Sequence, residues 1–464
     1  MSEFEPQTFE DCFRRQKNFF ETGATFEFKF RKQALKSLYA CVKKFESKIL
    51  EALVADLGKP PAEGFGGEVG FLYAEISHTL KHLKKWMKPQ RVRTPLFLFP
   101  ARSRIVTSPK GQVLIIGPWN YPVQLQFAPL IGALAAGNTA ILKPSEIAVH
   151  STRVVEEIVE SCFDAEQVAV FQGEGKQTIS AMMNRVRFDH VFFTGSIPVG
   201  RLIAEQAAQK LTPVTLELGG KSPAIIDQDV NVALAAKRVT WGKFFNSGQT
   251  CVAPDYAIVH KSIKSEFVRQ IGLNIKAFYG DQPNSSESLA HMIHERHYEK
   301  LVQYLEDGKT LIGGEHDRVS KRIEPTVIDS LNDDSPLLTD EIFGPILPLV
   351  TVESRDEVFR VISQHPHPLA LYIFTRSKEF EQEVTQRIPF GGGCVNDVVA
   401  HLANPNLPFG GVGSSGLGKY HGKFSFDEFS NQKGILRASQ KMDLPFRYPP
   451  YDEKKLNLFR RLLK

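Results

Sequence analysis

The sequence predicts an α/β fold with two mainly parallel sheets and a small separate β element. Three observations carry this. From Gly111 onward, short continuous apolar runs alternate with helical spacing, the pattern of a parallel sheet covered on both faces. A second series of the same kind begins near Glu217. The 464 residues exceed what one ordinary core organises, so two or three domains are expected.

Composition narrows the class further. Apolar residues make up 42% and charged residues 23%, as in globular chains. The net charge of +5 is small for this length and no basic stripe is present, which argues against nucleic acid. Cys12, Cys41, Cys162, Cys251 and Cys394 are odd in number, scattered and without CxxC spacing. They point to a reducing, cytoplasmic setting, with neither a disulfide framework nor a metal site. The acidic start Met1-Ser2-Glu3-Phe4-Glu5 is unlike a signal peptide. No run reaches the roughly 18 apolar residues of a membrane span.

Residues 8–57 read as two helices, with Leu35, Leu38, Tyr39 and Val42 at helical spacing. A Gly/Pro-rich break at 58–67 precedes a helix from Glu68 to Met87. Prolines 89, 95, 100 and 109 then bracket two extended pieces, Leu96–Phe99 and Ser103–Thr107. They predict a hairpin apart from the main sheet. An exposed apolar hairpin needs a partner, so a subunit contact is expected there.

The first sheet is predicted from the strands Val113–Ile116, Thr139–Leu142, Val168–Phe171 and His190–Phe193, with helices 124–136, 150–161, 178–184 and 198–209 between or after them. Ligands of such sheets sit beyond the carboxyl ends of the strands. Those ends carry Asn120 and Tyr121, then Lys143 and Glu146, then Thr194, Gly195, Ser196 and Gly200. The last group turns into a helix N-terminus, where unpaired N–H groups and the dipole hold phosphate. Lys143 suits a ribose hydroxyl or phosphate, and Glu146 can accept from the ribose of an adenosine. The second unit runs through Leu216-Glu217-Leu218-Gly219-Gly220, the strand Ala224–Ile226, a helix over 232–245 and Cys251. It continues through strands at 257–259, 347–350 and 371–374. The glycine density of 408–418 marks a loop that closely approaches another group.

Cys251 follows Ser247-Gly248-Gln249-Thr250 at the end of an apolar helix, a junction at which a thiol can face a cleft. A cysteine that attacks a carbonyl needs donors for the oxyanion, and the Cys251 N–H and the Asn120 carboxamide are candidates. Glu217 and Glu341, both on glycine-flanked turns, can activate water, since partial burial raises a carboxyl toward neutrality. A dinucleotide sheet beside such a cysteine fits a defined reaction. An aldehyde held as a thiohemiacetal gives a hydride to nicotinamide, and water then releases the acid from a thioester.

At this point the chain strongly resembles the aldehyde dehydrogenase superfamily. The motifs are Pro118-Trp119-Asn120, Lys143-Pro144-Ser145-Glu146, Phe193-Thr194-Gly195-Ser196 with Gly200, Leu216–Lys221, Gly248-Gln249-Thr250-Cys251 and Glu341–Pro345. Within it, Val252–Tyr256, Tyr420–Asp427 and Arg447–Tyr451 resemble the class 3 and fatty aldehyde dehydrogenase branch. The resemblance implies Cys251 as nucleophile, Asn120 as oxyanion donor and Glu217 as general base, with Glu341 a competitor for that role. Glu341 and Phe343 would position the nicotinamide ribose, Lys143 and Glu146 the adenosine ribose, and Thr194, Gly195 and Ser196 would lie near the pyrophosphate. Glu146 favours NAD, with NADP possible in this branch. Tyr121, Trp241, Phe245, Thr250 and His421 would line an apolar aldehyde tunnel.

The resemblance further implies a Rossmann-like NAD-binding domain (1–88 and 110–216) and an α/β catalytic domain (217–416). A bridging element of 89–109 with 417–464 would pair its strands near Phe424–Leu436 and support a homodimer. Some relatives carry a hydrophobic C-terminal anchor, whereas the end Leu456–Lys464 is too short and too charged to be expected to span a membrane. Two rival readings stand beside this one: a thiol esterase using the same cysteine, and a non-catalytic binding protein that kept the fold.

Overall fold

The computed structural model describes residues 4–332 and 335–463. Its first sheet has six strands in the spatial order Gly416–Leu417, Val214–Leu218, His190–Gly195, Gln112–Ile116, Thr139–Lys143 and Val168–Val170. All pair in parallel except Gly416–Leu417, which returns antiparallel onto Val214–Leu218. Gln112–Ile116 lies near the middle and is buried along its whole length, as its unbroken apolar run requires. The helix Gln124–Ala136 is buried on every face, wedged between this sheet and the N-terminal helices.

The second sheet has seven strands, ordered Lys309–Ile312, Thr326–Asp329, Ile346–Val352, Tyr256–His260, Pro223–Ile226, Ala370–Phe374 and Gly392–Val395. Only Lys309–Ile312 runs antiparallel. One apolar core joins the N-terminal helices, the inner face of the first sheet and part of the second.

Several elements differ from their sequence reading. Three helices, Pro6–Glu21, Phe28–Lys44 and Glu46–Leu57, replace the expected two, because Gly23 in a left-handed conformation (φ 78°) and then Phe45 interrupt the run. The expected break at 58–67 folds as the short helix Pro61–Gly64 and a π-helical turn, Phe65–Val69. Leu96–Phe99 is not a strand. Pro95 starts a 3₁₀ turn in which Leu98, Phe99 and Ala101 donate their N–H groups to local carbonyls, leaving no ladder to form. The small sheet is instead Gln90–Val92, Arg102–Pro109 and Ser430–Arg437, with the last two antiparallel over eight residue pairs. Finally, the boundary expected at 216/217 falls inside the strand Val214–Leu218. Glu217 therefore sits on the first sheet, where it pairs with Thr194 and Gly416.

Candidate active site

Cys251 stands where two cavities meet. The helix Val232–Phe244 ends in a turn whose residues Asn246, Ser247 and Gly248 all have positive φ (50°, 50° and 75°). Non-glycine residues held there store strain, a common property of functional turns. Side chains hold the turn in place. Ser247 Oγ donates to Ala290 O at 2.6 Å, and Gln249 Nε2 donates to Asn246 O at 3.2 Å and His291 O at 3.0 Å. Gly248 has no freedom to be anything larger, since a Cβ there would lie 2.2 Å from the carbonyl oxygen of Gly344. That close approach packs the cysteine turn against the Glu341–Pro345 turn.

The first cavity, about 230 Å³, lies beyond the carboxyl ends of the first sheet. It is lined by Asn120, Thr194, Gly195, Ser196, Glu217, Cys251, Glu341 and Phe343. Thr194 Oγ1 is buried without a partner, and Ser196 caps the helix Ile197–Gln209 with no side-chain hydrogen bond of its own. Open donors at a helix N-terminus and an orphaned hydroxyl fit the phosphates and ribose of a dinucleotide. Lys143 and Glu146 line neither cavity; they lie at the end of Thr139–Lys143, with Gln112–Ile116 between that strand and His190–Gly195, and are joined at 2.6 Å. Glu146 also accepts from the Gly175 N–H at 2.8 Å. Against its partial burial, the Lys143 ammonium and the backbone donors hold this carboxyl below its ordinary range. Gly200 lines neither cavity: a Cβ there would meet Leu218 at 2.6 Å, so it serves helix-to-strand packing.

The second cavity, about 410 Å³, is predominantly apolar. Tyr121, Phe245, Thr250, Trp241 and His421 line it, together with Cys251. Tyr121 and Thr250 share a hydrogen bond of 2.8 Å, and Trp241, 42% exposed, forms part of the lining nearest solvent. His421 is buried, its Nε2 has no partner, and burial pushes it down to about 3, so the ring is neutral in this apolar lining.

The three acids of the junction shift together. Burial, followed by the Glu341 and Glu217 carboxyls, pushes the Cys251 thiol up to about 12, opposed by the N–H groups of Cys251 and Val252 directed at the sulfur. Burial also raises Glu341 to about 8 and lifts Glu217 well above the carboxylate range. Their surroundings differ. Glu341 is pressed against Gly219, where a Cβ would sit 2.0 Å from its Oε2, and it accepts the Gly220 N–H. Glu217 is 3% exposed and neither of its oxygens has a partner. The glycine-rich loop backs it: a Cβ on Gly410 would lie 2.8 Å from Glu217 Oε1. This is the close approach that the glycine density of 408–418 foretells.

Asn120 is 3% exposed and donates through Nδ2 to Gln249 O at 3.0 Å. A carboxamide has two N–H groups, so one is left without a described partner, on a residue that lines the first cavity. The sequence reading missed His297 and Lys300 of the first cavity, although their spacing with His294 forms a polar stripe on the helix Glu295–Tyr304. It also missed Phe409 and Tyr420 of the second cavity, which flank the glycine-rich loop.

Comparisons with known proteins agree in kind. The family model "Aldehyde dehydrogenase family" matches residues 1–435. The chain is 45% identical over 447 residues to 4,4'-diaponeurosporen-aldehyde dehydrogenase of Staphylococcus aureus, covering 96% of this chain and 97% of that one. It is 42% identical over 424 residues to aldehyde dehydrogenase family 3 comG of Dictyostelium discoideum, covering 91% and 90%. Among solved structures, the substrate-bound state of Staphylococcus aureus AldH superposes with a TM-score of 0.95 at 44% identity, over 98% of this chain and 99% of that one. An NAD-dependent aldehyde dehydrogenase from Sinorhizobium meliloti gives 0.86 at 26%, over 97% and 89%.

Proposed function

This chain belongs to the aldehyde dehydrogenase family, and on that premise we propose that it captures apolar aldehydes on Cys251 and releases them as carboxylic acids. The activity itself is the NAD(P)-dependent oxidation of aldehydes. The observation that carries the finer reading is the position of Cys251, shared between an apolar cavity and the polar one at the sheet edge.

An apolar aldehyde fills the second cavity with its carbonyl carbon toward Sγ. As sulfur adds, the thiol proton passes to solvent water and the carbonyl oxygen gains charge, which the free Asn120 N–H and the Cys251 N–H stabilise. The bound dinucleotide supplies the hydride acceptor for this reaction. Lys143 and Glu146 hold its adenosine ribose, Thr194, Gly195 and Ser196 its phosphates, and Glu341 and Phe343 the ribose nearest the reacting carbon. Glu217 then takes a proton from the water that attacks the thioester, which returns Cys251 as a thiol and frees the acid.

Chain length tests the tunnel. Each methylene buried is worth about 0.8 kcal/mol. Across straight-chain aldehydes, kcat/KM is therefore expected to climb roughly fourfold per added carbon until the cavity is full. A flat profile, or a preference for short polar aldehydes, would refute an apolar tunnel.

NAD is the preferred dinucleotide in this reading, because the Glu146 carboxylate accepts from a free 2′-hydroxyl and repels a 2′-phosphate. Glu146→Gln is expected to shift the NAD/NADP ratio of kcat/KM toward NADP by about tenfold, the equivalent of ~1.4 kcal/mol. An unchanged ratio would remove Glu146 from cofactor choice.

Two further features support the setting of this enzyme. The cytoplasmic setting is proposed on the five scattered, unpatterned cysteines of the sequence; among the described residues, no helix is long and apolar enough to cross a membrane. The strand Ser430–Arg437 exposes Ile435 and Leu436 close to the uncovered Leu96 and Phe99 segment, an apolar margin suited to a second copy of the chain in a homodimer.

A further inference from the structure

We propose that the buried ion pair Lys59–Glu68 is a positioning device that fixes the Asn120 carboxamide where the oxyanion forms. The proposal rests on the oxyanion role of Asn120 given above. Lys59 lies in the link between the helices Glu46–Leu57 and Pro61–Gly64, and Glu68 in the π-helical turn Phe65–Val69. Such turns recur at functional sites, because they redirect one side chain out of the regular helical ladder. Both side chains have zero exposure, and Nζ meets Oε1 at 2.7 Å.

What the pair touches gives it direction. Lys59 Nζ donates to Asn120 O at 3.0 Å, and Glu68 Oε2 accepts from the Val123 and Gln124 N–H groups at 2.9 and 3.1 Å. Every other side-chain hydrogen bond described for the pair thus ends on 120–124, the turn and helix start that carry Asn120. The ammonium also lies 4.1 Å from the centre of the Tyr121 ring. From the cysteine turn, Asn246 Nδ2 donates to the same Asn120 oxygen at 3.1 Å and to Gln249 O at 3.1 Å. Gln249 O in turn accepts from Asn120 Nδ2. The Asn120 backbone is therefore clamped on one side by Lys59 and on the other by the turn that carries Cys251.

Stability alone does not account for such a pair, since well-packed apolar residues usually serve at least as well in its place. Pre-organisation does account for it. An oxyanion donor acts by being in place before charge develops, and each group in this chain removes a freedom of the loop that holds it.

The test is a cycle between the pair and its target. Lys59→Met with Glu68→Gln neutralises both partners together, and the neighbouring Glu63 carboxyl, which burial raises to about 7 and the Lys59 ammonium lowers, is left to its burial and keeps its proton. This double variant is expected to lower the single-turnover rate of NADH formation by tenfold or more. KM for an apolar aldehyde and Kd for NAD should stay within about twofold. Asn120→Ala alone should cost roughly 10²- to 10³-fold. Adding it to the double variant should then bring the rate to that of Asn120→Ala and no lower, because one function is being removed twice.

A double variant at the wild-type rate, or losses that multiply, would overturn the proposal. If Asn120→Ala itself keeps the wild-type rate, the oxyanion reading of Asn120 fails instead. Should the neutral pair not fold, Glu68→Asp keeps both charges and draws the carboxylate away from the Val123 and Gln124 N–H groups. The same loss and the same non-additivity are then expected, and a wild-type rate in that variant overturns the proposal equally.

Discussion

Cys251→Ala is expected to lower aldehyde-dependent NADH formation by roughly 10⁵-fold or more, the scale seen when a covalent nucleophile is deleted. NAD should still bind with its normal Kd, because Thr194, Ser196, Lys143 and Glu146, the residues proposed to hold its phosphates and ribose, are untouched. The change removes one sulfur at a cavity wall and leaves no sealed void, so Tm should move by only a few degrees. The environment of the thiol adds a pH signature. Burial pushes Cys251 up to about 12, so thiolate is scarce in the free enzyme at neutral pH. Alkylation of this thiol by iodoacetamide, followed by mass spectrometry, should accelerate about tenfold per pH unit across pH 6–9 without a plateau, and that labelled site should be absent in Cys251→Ala. NADH formation that survives the substitution would end the covalent mechanism. Ester hydrolysis that needs no dinucleotide, in an enzyme that makes no NADH from any aldehyde, would favour the esterase.

The strands of both sheets were legible because their apolar runs are local properties of the chain. Gln112–Ile116 and Ala370–Phe374 need nothing distant to explain them. The cleft position of Cys251 was legible for a related reason: a thiol behind Ser247-Gly248-Gln249-Thr250 at a helix end reads as a turn beside a cleft, and the structure places Cys251 in the lining of both cavities. Long-range pairing was not legible. Val214–Leu218 is followed by two glycines and a new apolar run, which reads as the start of a unit. Only its ladder with His190–Gly195 assigns it to the first sheet. The same holds for Lys59 and Glu68. Lys59 lies inside, and Glu68 directly after, a Gly/Pro-rich stretch that reads as a break, and their contacts appear only when the fold brings them 61 and 55 positions along the chain to Asn120 and Val123. Phe409 and Tyr420 were hidden for want of periodicity, as they face the tunnel across a loop.

The second large effect is expected at Glu217. Glu217→Gln should lower steady-state turnover by roughly 10²- to 10⁴-fold, the usual loss on deleting a general base. The first turnover should persist as a burst approaching one NADH per site, since capture of the aldehyde and hydride loss precede the hydrolytic step. Glu341→Gln should do the reverse, slowing the first turnover and weakening nucleotide use without accumulating acyl-enzyme. The assignment rests on partners. Glu341 is committed to the Gly220 N–H and pressed against Gly219, whereas both Glu217 oxygens are free to take a proton. The sign of the pH effects follows from the raised carboxyls. A base works ionised, so deacylation should speed up as pH rises through the folded-state pKa of Glu217, and Glu217→Gln should lose that limb. Stability should run the other way. The folded chain keeps protons that the unfolded chain releases, so stability is lost as pH climbs above 4.5, up to about 8 in the case of Glu341. Glu217→Gln has no charge to bury, and its Tm should fall less steeply over that range. A burst without turnover in Glu341→Gln, beside normal turnover in Glu217→Gln, would exchange the two roles.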